Sequence, residues 1–176
     1  RYRSLGLIGQ GGFGKTFLAV DEDKPSKPQC VIKQFFPLYQ GTSDVRKATE
    51  LFEREAVRLD ELGKHPQIPE LLAHFTQDNR QYLVQEFIDG HNLAQILAKE
   101  GVFNEQQIRE MLRDLLSILE FIHSRSVIHR DIKPENIIRR RHIYTGDTGE
   151  TEAGVIKGNL VLVDFGAAKH AIGTVK

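Results

Sequence analysis

The chain holds a single cysteine, Cys30, so no disulfide can form within it, and that fits a reducing compartment. Neither charge sign is in excess. With 24 acidic and 24 basic side chains the formal net charge is zero, which gives no reason to expect nucleic acid or an anionic membrane surface as a partner. No apolar run approaches the ~20 residues that a helix needs to cross a bilayer, and no signal peptide opens the chain. The seven histidines are scattered, without an H-x-x-x-H pair or a Cys/His cluster, which argues against zinc. There is no internal repeat and no low-complexity tract. What remains is 176 residues, enough for one domain or two small lobes. A soluble, cytosolic protein is expected. The chain begins with Arg1, not Met, so it is expected to be an excised piece of a parent that could carry further domains or an anchor.

Among what is present, Gly9-Gln10-Gly11-Gly12-Phe13-Gly14 comes first. Glycines let a backbone approach phosphate oxygens closely and aim N–H groups at them. Extended to Lys15-Thr16, the same run satisfies G-x-x-x-x-G-K-[ST], the P-loop of another ATPase class. A P-loop opens a helix whose N-terminus serves the phosphates. Here Phe17-Leu18-Ala19-Val20 is β-prone, and Asp21 to Gln29, with Pro25 inside it, reads as a turn between strands. A hairpin with the glycines at its tip is therefore expected, with the P-loop as the alternative.

Cys30-Val31-Ile32-Lys33-Gln34-Phe35 reads as the next strand. From Lys47 to Gly63, apolar residues at Ala48, Leu51, Phe52, Ala56, Leu59 and Leu62 form one face of a helix closed by a glycine. Glu55 lies four residues from Leu51 and four from Leu59, so it shares that face, whereas Glu53 points away. A carboxylate buried there needs a cationic partner, and Lys33 is the candidate.

Further on, Asn104 and Gln107 form a capping signal with Phe103 and Ile108 as a staple. Met111, Leu112, Leu115, Leu119 and Ile122 continue a helical stripe. Then comes His129-Arg130-Asp131-Ile132-Lys133-Pro134-Glu135-Asn136. Asp131 can accept a hydrogen bond from a hydroxyl, Lys133 can neutralise charge, and Asn136 can offer a side-chain oxygen to a metal. Leu160-Val161-Leu162-Val163 reads as a buried strand ending in Asp164-Phe165-Gly166. Residues 139–158 read as a long exposed loop, an enlarged hairpin, with Arg139, Arg140, Arg141 and His142 solvated.

These motifs, in this order from Gly9 to Gly166, resemble the catalytic domain of eukaryotic-type serine/threonine protein kinases, in a bacterial and particularly cyanobacterial style. Seven of the eight positions from His129 to Asn136 match the family's catalytic loop, against a chance of about 10⁻⁹ per start position. The resemblance implies an α+β, bilobal fold: an antiparallel N-lobe sheet with its helix over residues 1–86, then a hinge and the first part of a helical C-lobe over 87–176. It implies transfer of a phosphoryl group from ATP, with Mg²⁺, to a Ser or Thr hydroxyl of a protein substrate.

By the same resemblance Asp131, Lys133, Lys33 and Glu55 are catalytic, and Asn136 and Asp164 hold the metal. Ile8, Gly9, Gly11, Gly12, Gly14, Thr16, Ile32, Lys33, Gln85, Glu86, Ile88 and Ile138 line the nucleotide. Glu86 and Ile88 serve adenine through their backbone, and Gln85 is the gatekeeper. Leu59, Leu71 or Leu72, His129 and Phe165 form the stacked spine, with His129 beside Phe165, and Arg130 suggests control by a phosphorylated loop. Three features depart from the family pattern: Thr16 where valine is usual, a polar gatekeeper, and an unusually long spacing from Asn136 to Asp164. No Ala-Pro-Glu motif follows Gly166. This stretch alone is thus expected to bind ATP better than it turns over and to leave apolar surface bare on helix 104–124. The alternative function is a non-catalytic, ATP-binding scaffold of the pseudokinase kind.

Overall fold

The structure is a computed structural model that describes residues 1–11, 14–35, 42–141 and 160–170. The chain divides into two compact units. The first comprises Arg1–His65, Pro69–Phe87 and Phe165–Ala168, the second Pro66–Ile68, Ile88–Asp164 and Lys169–Lys176.

The first unit is built on a five-stranded antiparallel sheet from β1 (Tyr2–Gly11), β2 (Gly14–Asp21), β3 (Gln29–Phe35), β4 (Leu71–Gln77) and β5 (Arg80–Glu86), ordered β1-β2-β3-β5-β4. Gly11 pairs with Gly14 across the first hairpin, so the glycines do sit at its tip; Gly12 lies outside the described residues. The chain leaves Gly14 as a strand and not as a helix, which removes the P-loop alternative. Between β4 and β5, Asp78 and Asn79 take φ of 49° and 57°. Two left-handed residues make the turn whose twist suits a two-residue hairpin, and Asp and Asn tolerate that conformation best after glycine. Ala19, Cys30 and Val84 form the fully buried centre, with Ile32, Leu72, Ala73, Phe75 and Tyr2 packed against it. Burial pushes the Cys30 thiol pKa up, so this cysteine is a core residue.

The helix α1 (Thr42–Leu62) begins five residues before the stripe read from sequence, and Ala48 on that stripe is buried. It stops where Gly63 adopts φ 63° and donates to the Leu59 and Asp60 carbonyls at 3.1 and 3.2 Å. Only glycine takes that conformation without a Cβ penalty.

In the second unit, β6 (Gly90–Asn92) leads into α2 (Leu93–Glu100). A capping box of Asn92 and Gln95, not read from sequence, starts this short helix. The next helix, α3 (Glu105–Ser124), has the anticipated box of Asn104 and Gln107, both bonds at 2.9 Å. Its buried face differs from the expected stripe. Ile118 and Ile122 are fully buried, while Ile108, Leu112 and Leu116 are 44%, 51% and 63% exposed. Leu112 thus turns outward, and bare apolar surface on this helix is present.

Beyond α3 come β7 (Val127–Ile128), a single 3-10 turn (Pro134–Asn136), β8 (Ile137–Arg140), β9 (Leu160–Leu162) and β10 (Lys169–His170). The sheet order is β6-β8-β9, and β7 pairs separately with β10. Arg139 pairs with Leu160 across the antiparallel β8–β9 ladder; residues 142–159, including His142, are outside the described residues. The three arginines are not merely solvated. Arg139 meets Glu100 at 3.2 Å, Arg140 donates to the Pro66 carbonyl at 3.0 Å, and Arg141 lies 3.9 Å from Asp89. Among the described residues no helix is long and apolar enough to cross a membrane.

Candidate active site

The first unit supplies an ammonium at a fixed point. In the ladder Lys33 lies between Thr16 on β2 and Leu83 on β5, and its Nζ is 2.5 Å from Glu55 Oε1. Glu55 is only 4% exposed. A carboxylate buried to that degree persists because an opposite charge and hydrogen bonds replace the lost water. Helical spacing and resemblance had both chosen this pair.

Around it the glycine hairpin has unequal demands. A Cβ on Gly14 would stand 2.3 Å from the Gln34 carbonyl oxygen, so β3 itself requires glycine there. At Gly9 the nearest atom to a Cβ would be Thr16 Cβ at 3.7 Å, an ordinary contact. Ile8 is exposed, and Thr16 and Ile32 are half-buried. Gln85 is buried. Glu86 donates its N–H to the Glu70 carbonyl at 2.9 Å, so any contact with a purine from its backbone has to come from its own carbonyl.

The second unit supplies the acid cluster. Asp131 Oδ2 accepts from Lys133 Nζ at 2.9 Å and from Asn136 Nδ2 at 2.9 Å. The Asn136 amide also donates to the Asp131 carbonyl at 2.9 Å. The hydrogen bond from Lys133, then that from Asn136, holds the Asp131 carboxyl below the usual carboxylate range, and Asp131 in turn pushes the Lys133 ammonium up. With the amide nitrogen committed twice, Oδ1 is the atom of Asn136 that can meet a cation.

Behind this pair sits His129, buried. Its Nδ1 accepts from the Asp131 N–H at 3.2 Å, so Nε2 carries the proton and donates to the Val163 carbonyl at 3.1 Å. Burial lowers its pKa, and a neutral ring is the form that both bonds need. The Val163 N–H donates to the Asn136 carbonyl at 2.9 Å, so the strand ahead of Asp164 is tied to the acid loop twice. Asp164 lies near enough to His129 and Lys133 to raise the pKa of each. Arg130 and Asp164 both take left-handed φ, 69° and 65°. Such backbone strain in non-glycine residues gathers where a side chain must be aimed.

An amide oxygen and a carboxylate are hard oxygen donors of the kind Mg²⁺ takes when a phosphate supplies further ligands. Among the described residues no three His, Cys, Asp or Glu side chains form a metal cluster. Of the other residues named from sequence, Ile88 is buried and Ile138, on β8, is half-buried, both in the second unit. Sequence reasoning missed Gln67 and Asp114, which bond β9 from far away along the chain. No local pattern could have signalled them.

The model of the protein kinase domain family matches residues 2–176. Serine/threonine-protein kinase B of Synechocystis sp. is 48% identical over 175 residues, which is 99% of this chain and 28% of that protein. Serine/threonine-protein kinase PknA of Nostoc sp. is 42% identical over 176 residues, 99% and 29% respectively. Serine/threonine-protein kinase C of Synechocystis sp. is 44% identical over 175 residues, 99% and 30%. The chain spans less than a third of the length of these curated relatives.

Proposed function

This chain belongs to the protein kinase domain family, and from that premise we propose that it binds ATP and serves the transfer of its γ-phosphoryl group to a serine or threonine hydroxyl of a protein. The hydroxyl oxygen forms the new P–O bond as the bond from the γ-phosphorus to the β–γ bridging oxygen breaks, and ADP leaves. Lys33, fixed by Glu55, holds the α and β phosphates. Asp131 is ionised at neutral pH and accepts the hydrogen bond of the incoming hydroxyl. Its lowered pKa makes it a weak base, so it orients the oxygen first and takes the proton late. Lys133 offsets charge on the phosphoryl group in flight.

Asn136 Oδ1 and the Asp164 carboxylate are the candidate metal donors; a bound Mg²⁺ neutralises phosphate charge. Ile8, Gly9, Gly11, Gly12, Gly14, Thr16, Ile32 and Ile138 take the nucleotide's phosphates and purine. The Glu86 carbonyl and the Ile88 backbone read the adenine edge beside Gln85. ATP and a protein hydroxyl are thus the proposed partners.

One observation carries this reading: Asp131, Lys133 and Asn136 are already hydrogen-bonded into a single charged cluster. A non-catalytic scaffold would have no use for that arrangement, and nothing in the site favours it. The test is Asp131→Asn in the full-length protein, followed with γ-labelled ATP. Transfer should fall by at least about 10²-fold while ATP binding, measured by calorimetry, stays. Undiminished transfer would remove Asp131 from the role.

A further inference from the structure

The strand β9, Leu160–Leu162, ends its three-stranded sheet. An edge strand leaves alternate N–H and C=O groups without a neighbouring strand, and buried ones must be met by something else. Here β9 is buried throughout. Its inner side faces β8, while Leu160 and Leu162 direct their polar groups outward. Gln67, only 5% exposed, meets them. Its Nε2 donates to the Leu160 carbonyl at 3.2 Å, and its backbone carbonyl accepts from the Leu162 N–H at 3.0 Å. The third outward group, the Leu160 N–H, donates to Asp114 Oδ2 at 3.4 Å. Gln67 Nε2 also reaches the Asp114 carbonyl at 3.5 Å. One glutamine and one aspartate therefore meet three outward polar groups of this edge strand.

The strand held this way runs, after Val163, straight into Asp164. Asp164, at φ 65°, follows the end of β9 by two residues, so a shift of β9 along its axis would carry Asp164 with it. Val163 is fixed from the other side by Asn136 and His129. We propose that Gln67 and Asp114 are positioning residues for the metal-binding carboxylate: they hold β9 in register and so set where Asp164 meets the cation. This rests on the assignment of Asp164 and Asn136 as metal donors made above.

The experiment uses the full-length protein and Mn²⁺ as the probe, titrated by electron paramagnetic resonance in the presence of a non-hydrolysable ATP analogue. Removing groups that orient a metal ligand weakens metal affinity by about 10–100-fold. Gln67→Leu, which keeps volume but loses the amide donor, should weaken Mn²⁺ binding by about 10-fold and leave nucleotide affinity without metal unchanged. It should also speed hydrogen exchange at the Leu160 and Leu162 amides.

If Gln67→Leu does not fold, half-buried Asp114 supplies the second test. Asp114→Ala should weaken Mn²⁺ binding and Asp114→Asn, which keeps an acceptor, should restore it. A lower melting temperature with unchanged Mn²⁺ affinity in these variants would overturn the proposal and leave Gln67 and Asp114 as ordinary packing. A wild-type protein that binds the analogue but no Mn²⁺ would overturn the metal assignment as well.

Discussion

Asp131 receives hydrogen bonds from three sides: Lys133 and Asn136 at its carboxylate, Asn136 again at its carbonyl. Its own N–H is donated to His129. The last of these bonds requires a neutral imidazole, since a proton on Nδ1 would face the Asp131 N–H. A pH dependence follows. The folded pKa of His129 lies below its ordinary 6.5, so near neutral pH neither state binds a proton and the ring's contribution is intact. As pH falls below about 6.5 the unfolded chain takes up a proton that the folded chain refuses. Stability drops until the folded pKa is passed, then levels off; each unit of depression is worth about 1.4 kcal/mol. Denaturant unfolding of wild type and His129→Phe at pH 5 to 8 checks this. The stability difference between them should shrink on acidification, and a constant difference would contradict it. Much of the site could be read at this scale, because Glu55 shares a helical face with Leu51 and Leu59 and the acid loop is contiguous. The tautomer of His129 and the left-handed φ of Arg130 and Asp164 could not, since they depend on the folded backbone around Asp131 and Val163.

The elements carry their own demands, and the glycine hairpin shows the contrast best. Gly14 is there for β3, whose Gln34 carbonyl a Cβ would strike, whereas Gly9 has room. Gly14→Ala should therefore cost about 1–3 kcal/mol through strand displacement, and Gly9→Ala should stay within about 0.5 kcal/mol. Equilibrium denaturation of the two variants decides it; equal losses would mean that strand packing does not set the glycine pattern. Long periodic elements such as α1 and β3 were legible because their spacing repeats over many residues. The short ones were not: β7 and β10 hold two residues each, too few for any period. On α3 the apolar residues 108, 111, 112, 115, 116, 118, 119, 121 and 122 spread around more than one face. Periodicity finds that helix without fixing which side is buried, and Leu112 was placed wrongly for that reason.

At the scale of the whole molecule, two units each hold one part of the proposed chemistry. Lys33 and Glu55 belong to the sheet unit, while Asp131, Lys133, Asn136 and Asp164 belong to the other. Balanced charge gives no net attraction for a polyanion, so the proposed triphosphate would depend on specific short-range groups. Motif order along the chain supported an expected boundary after residue 86. The anchoring of Pro66–Ile68 in the second unit was not legible in the sequence, because Gln67 finds Leu160 at a separation of 93 residues. The proposed function requires both parts to serve one nucleotide.

Paramagnetic broadening tests that requirement most directly. With lysine labelled in the full-length protein and an ATP analogue bound, added Mn²⁺ should erase the Lys33 resonance in wild type and spare it in Asp164→Asn. A Lys33 signal that survives saturating Mn²⁺ in wild type, with the analogue bound, would contradict the account.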